Sequence, residues 1–100
     1  MFNFKDSNEL LDYAFRQVEE ALNRGEKETR ILLGEFGKGD DYGYLDEICE
    51  NFEIDTITEM LRERFNNNHI KSGVEERSKQ LQKKRYIISI TWIITFFEEG

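Results

Sequence analysis

Between Lys71 and Arg85 the chain carries six basic residues, Lys71, Arg77, Lys79, Lys83, Lys84 and Arg85, against two acids, Glu75 and Glu76. Clustered Lys and Arg do one kind of chemistry well. They neutralise phosphates, which is the main source of nucleic-acid affinity. The remainder of the chain has the opposite sign. Residues 1–60 hold 6 Lys/Arg and 16 Asp/Glu, and the 100 residues together carry a formal net charge of −7. An acidic body with one basic stretch presents a directional surface. The competing reading of the basic stretch is a solvated hairpin whose lysines guard an aggregation-prone strand.

Other chemistry-bearing residues form no catalytic or metal-binding pattern. His69 follows Asn66-Asn67-Asn68 with no Ser or Cys nucleophile suggested beside it. Cys49 falls on an apolar stripe and reads as a small core residue. A single Cys excludes a disulfide scaffold, and one Cys with one His cannot supply four zinc ligands without carboxylates. Asp40, Asp41, Asp46 and Glu47 have the charge to hold a cation, but their spacing fits no EF-hand loop. The segment Gly37-Lys38-Gly39-Asp40-Asp41-Tyr42-Gly43 has neither GxGxxG nor GK[ST] spacing, and its aspartates repel phosphate. It reads as a turn. The expectation is a protein that is not an enzyme and that takes no cofactor and no metal.

The elements that must position these residues fit one small domain. Hydrophobic residues make up 38% of the chain and aromatics 13%, enough for a core. Leu10, Leu11, Ala14, Phe15, Val18 and Leu22 recur at helical spacing. They predict a helix over 7–24, capped by Ser7 or Asp6 and ended by Gly25. The spacing of Leu32, Leu33 and Phe36 favours a second helix over 28–36, with a short buried strand as the alternative. Leu45, Ile48, Cys49 and Phe52 predict a helix over 44–53. Ile57, Met60, Leu61 and Phe65 predict another over 56–67, capped by Asp55 and ended by Asn66-Asn67-Asn68. Two short helices joined by a tight turn have the layout of a helix-turn-helix. Residues 69–84 are polar with no strong apolar period. Tyr86 to Thr91 then alternates as a strand, with Ile88, Ile90 and Trp92 on one side. His69-Ile70-Lys71 is expected to pair with the start of that strand, leaving the residues between as the tip of a long hairpin. The fold class is therefore α+β, with three to four helices and a C-terminal β-hairpin.

The order helix, helix, helix-turn-helix, basic hairpin resembles the PadR-like group of winged-helix transcription regulators. The similarity covers residues 28–91. It rests on Ile31-Leu32-Leu33-Gly34-Glu35-Phe36 followed by Gly43-Tyr44, on Leu61-Arg62-Glu63-Arg64-Phe65 followed by His69-Ile70-Lys71-Ser72, and on Lys83-Lys84-Arg85-Tyr86-Ile87-Ile88-Ser89-Ile90-Thr91. His69 stands where that family usually has Gly, and the sequence ends nine residues after Thr91, without most of the family's C-terminal dimerisation helix. The resemblance implies a winged helix-turn-helix that binds double-stranded DNA as a homodimer and regulates transcription.

The residues themselves place the DNA reading on helix 55–67 and the basic wing 71–86. With Ile57, Met60, Leu61 and Phe65 inward, the outward face holds Asp55, Glu59, Arg62, Glu63 and Asn66. Arg62 suits guanine and Asn66 suits adenine, while Lys71, Lys79, Lys83, Lys84 and Arg85 would reach phosphates. Glu59 and Glu63 oppose this docking. A rival reading is a non-enzymatic acidic interaction module, an adaptor or inhibitor that binds a protein partner through residues 1–60. Dimer contact would fall on helix 7–24 or on the apolar end Trp92–Phe97. The start MFNFKDSNELL lacks the basic-then-apolar pattern of a secretory leader, and Tyr86 to Phe97 is too short for a bilayer. A cytoplasmic location without membrane contact is the expectation.

Overall fold

The computed structural model describes residues 3–37, 50–82 and 85–96. They form helix α1 (Ser7–Asn23), strand β1 (Glu28–Gly37), helix α2 (Ile54–Arg64) and strands β2 (Lys71–Gln82) and β3 (Arg85–Thr95). The fold is α+β, with two helices and a three-stranded antiparallel sheet in the order β1-β3-β2.

Helix α1 starts and stops where its residues dictate. The Asp6 carboxylate accepts a hydrogen bond from the Glu9 amide at 2.9 Å, satisfying a free donor of the first turn. Gly25, at φ +73°, turns the chain out of the helix, and the Glu26 amide returns to the Ala21 carbonyl at 2.9 Å. Leu10, Ala14, Val18 and Ala21 are buried along one stripe. Helix α2 differs from the expectation at its start. It begins at Ile54, so Asp55 lies inside the first turn rather than capping it. The cap residue is Glu53, which is left-handed at φ 51° and makes no side-chain cap bond.

The segment 28–36 is a strand, not a helix. Ile31 and Leu33 alternate into the core, and Ile31 stands opposite Trp92 of β3. A bulge between Leu32 and Gly34 then shifts the phase, so that Phe36 rather than Glu35 lies in register with core-side Ile88. That one-residue slip imitates helical spacing. The expected helix 44–53 and the glycine turn lie outside the described residues, apart from Gly37, which ends β1, and 50–53, where Glu50 and Asn51 are helical. Two helices therefore stand among the described residues where the sequence predicts three to four.

The hairpin is longer and more regular than its polarity suggests. Residue pairs run from Lys71 opposite Thr95 to Gln82 opposite Arg85. Lys71 thus meets the end of β3, not its start, and most of 71–82 is paired strand rather than tip. β2 offers the core only Val74 among its apolar residues up to Lys79, so no apolar period marks it; the ladder to β3 holds it in place. Ile90, Trp92 and Ile94 of β3 are buried against both helices, with Ile31, Leu33, Ile57, Leu61 and Ile70. The opposite face, including Ser89, Thr91 and Ile93, has no layer over it among the described residues. No helix among them is long and apolar enough to cross a membrane.

Candidate interaction surface

The backbone positions of the described sequence-derived DNA contacts are spread along the hairpin. Arg62 Nε donates to the Ile70 carbonyl oxygen at 2.7 Å, and its Nη1 pairs with the Glu59 carboxylate. The side chain is 30% exposed. A guanidinium held on two sides by its own fold has few free donors for a base edge. Asn66 is exposed just past the end of α2, at φ 49°. Lys71 is exposed at the first position of β2. Lys79 stands in register opposite Ile87, and Arg85 opposite Gln82. Lys83 and Lys84 lie outside the described residues. The 12 residues of β2 span roughly 36–40 Å, so Arg62 and Lys71 sit at one end of the hairpin and Arg85 at the other.

The solvent side of α2 carries an acidic ridge beside exposed Thr56, Met60 and Arg64, so Met60 does not point inward as expected. Asp55, Glu59 and Glu63 are exposed at successive four-residue intervals and form one ridge. The exposed residues of α1 include Glu9, Asp12, Glu19 and Glu20. Of the apolar end Trp92–Phe97 expected to carry dimer contact, Trp92, Ile94 and Phe96 are buried in the chain's own core, and Phe97 lies outside the described residues.

Between α2 and the start of β2 lies a polar groove of about 480 Å³, lined by Asp55, Thr58, Glu59, Arg62, Lys71 and Ser72. Its floor is fixed by hydroxyls. Thr58, only 4% exposed, donates to the Ile54 carbonyl at 2.8 Å. Its oxygen lies 2.6 Å from Ser72 Oγ, and since its one proton is turned to Ile54, Ser72 is the donor. The same stretch of β2 borders a second recess on the open face of the sheet. That recess measures about 360 Å³, is centred on Gly73, and is walled by Ile93, Thr95, Lys71 and Glu75. Sequence reading missed Thr58, Ser72, Gly73 and Ile93. A Thr on the buried side of a helix and a Gly inside a strand are the two local signals that point to them.

Among the described residues no three His, Cys, Asp or Glu side chains are grouped to hold a metal ion. No family model, no curated protein and no solved structure matches the chain.

Proposed function

We propose that this chain is a non-enzymatic protein-interaction module on a winged-helix-like scaffold, recognising a basic partner through the layer that carries α2. The observation that carries the reading is the pairing of Arg62 within the fold beside the exposed ridge of Asp55, Glu59 and Glu63. A major groove is flanked by phosphates, which would repel Asp55 and Glu63 on either side of the Glu59–Arg62 pair. The same ridge attracts and steers a basic protein surface. Support for the scaffold comes from the turn before α2. Helical Glu50 and Asn51, buried Phe52, left-handed Glu53 and buried Ile54 follow one another as a tight helix-to-helix turn does.

The test is an anisotropy titration with mixed-sequence duplex DNA at two salt concentrations, run on the natural chain and on Glu59→Gln/Glu63→Gln. No salt-sensitive binding at micromolar protein, and none gained in the double variant, supports the reading. Micromolar binding that is lost in Arg62→Ala overturns it.

One observation favours a second reading, duplex DNA binding through the hairpin end. Lys79 and Arg85 lie toward the Gln82–Arg85 end of the ladder, and the sequence puts Lys83 and Lys84 between them, so four cations fall within seven residues. Lys83→Ala with Lys84→Ala would then weaken binding to every sequence. Its log–log salt slope would flatten by about one for each lost phosphate contact.

A further inference from the structure

We infer that the outer edge of β2 at Lys71–Glu75 is a docking edge for an extended peptide strand with a basic residue on one face and an aliphatic residue on the other. The inference rests on the protein-interaction reading and names the chemistry of the partner. β2 is an edge strand of the sheet, and none of the described residues pairs with its outer side. The opposite edge is treated differently. There the Asn3 amide donates to the Leu33 carbonyl and Asn3 Nδ2 to the Leu32 carbonyl, both at 2.9 Å, beside the bulge that bends β1. A bulge and a covering segment are means of closing an edge. Among the described residues β2 has neither between Lys71 and Gln80, and the charges that guard the rest of the strand leave Ser72-Gly73-Val74 uncharged. The backbone N–H and C=O groups of alternate β2 residues therefore have no strand partner among the described residues and can take one more strand.

Two recesses flank this edge, and they differ in kind. An added strand directs successive side chains to opposite faces. On the helix side the next position falls beside Ser72, in the groove that holds Asp55 and Glu59. Glu59 is already paired with Arg62, whereas Asp55 forms no ion pair with Lys71, which lines the same groove, or with any other described residue. A Lys or Arg of the partner completes that charge. On the open face the next position falls beside Gly73, where the missing side chain leaves Ile93 as an apolar floor. An aliphatic side chain fills that recess. Main-chain hydrogen bonds would supply affinity, and the two recesses would supply specificity, as in strand addition generally.

The test uses a labelled short peptide alternating lysine and valine, and an isomer of the same composition with the lysines and valines in separate blocks. Binding is read by anisotropy, and hydrogen exchange locates the protected amides. The decisive variant is Gly73→Val. A Cβ at Gly73 meets nothing within 4 Å, so the fold tolerates it while the recess is filled. The expected result has four parts. The alternating peptide binds better than its isomer, protection falls on β2, Gly73→Val lowers affinity roughly tenfold or more, and Asp55→Asn lowers it several-fold at low salt. Binding that ignores Gly73→Val, or that protects α2 alone, overturns the docking edge and leaves the protein-interaction reading standing. Absence of peptide binding, or β2 amides already protected in a sedimenting dimer, also overturns this occupant. Failure of the underlying reading shows separately, as Arg62-dependent binding of duplex DNA.

Discussion

Arg62 Nε donates to the carbonyl oxygen of Ile70 at 2.7 Å, which ties the last part of α2 to the residue that leads into β2. Ile70 itself is fully buried, so this carbonyl fixes where the edge strand begins. Arg62→Ala removes a charged donor from a half-buried acceptor, and the expected loss of stability is about 1–2 kcal/mol. Arg62→Lys is expected to recover less than half of it, because one ammonium cannot reproduce the fork that serves Ile70 and Glu59 together. Urea midpoints of the two variants check this. A loss under roughly 0.3 kcal/mol for Arg62→Ala, the level of a plain surface charge, would return Arg62 to the pool of free surface residues.

The Thr58–Ser72 pair is the second tie between α2 and β2. Thr58→Val keeps the shape but leaves the Ser72 hydroxyl without its acceptor, at an expected cost of about 1–2 kcal/mol. Ser72→Ala alone removes one donor and is expected to cost about 1 kcal/mol. The double variant should cost less than the sum, with a coupling of roughly 0.5 kcal/mol or more. Strict additivity in a denaturation cycle would mean that the hydroxyls do not act as a pair.

These ties also show where sequence reading stops. The 7–24 helix is legible because Leu10, Ala14 and Val18 repeat at its period between a capping Asp6 and a left-handed Gly25. The core side of β3 is legible because Ile88, Ile90 and Trp92 alternate. β1 misleads because its bulge moves the inward phase after Leu33, and a shifted strand phase over so few residues resembles a helical one. β2 is invisible because it needs no apolar period; it is selected by pairing with β3. The acidic ridge at Asp55, Glu59 and Glu63 follows from four-residue spacing alone. The hold of Ile70 on Arg62 does not, since it depends on where the chain returns after α2. Arg62 consequently reads as a base contact in one dimension and as a brace in three.

Trp92 is fully buried on the central strand, and its Nε1 is the one buried side-chain nitrogen or oxygen among the described residues without a hydrogen-bond partner. An orphaned buried donor costs about 1–3 kcal/mol. Trp92→Phe removes that donor but opens a cavity, which costs energy of similar size. The net change is expected to stay within about 1.5 kcal/mol of zero, far smaller than for Trp92→Ala at about 3–5 kcal/mol. Trp92 is the only tryptophan, so its emission is expected to be blue-shifted and shielded from iodide until the chain unfolds. Quenching in the native state would contradict its burial.

Glu53 carries a side chain through the left-handed turn that opens α2, at φ 51° and ψ 49°. The left-handed conformation crowds Cβ against the following carbonyl at about 1–2 kcal/mol for an L-residue, and glycine avoids it. In return Glu53 accepts an exposed hydrogen bond from Ser7 at 3.1 Å, which links the turn to the start of α1. An exposed bond of this kind is worth a few tenths of a kcal/mol up to about 1 kcal/mol. Relief of the backbone strain should therefore win, and Glu53→Gly is expected to stabilise the chain by about 0.5–1 kcal/mol despite the larger entropy of its unfolded state. Glu53→Gln separates the two effects, since it keeps the strain and an acceptor but removes the charge, and it should change stability by less than about 0.5 kcal/mol. Thermal unfolding of the two variants decides the matter. A Glu53→Gly chain that melts below the natural one would show that the bond to Ser7, not the conformation of the turn, governs how α1 and α2 are joined.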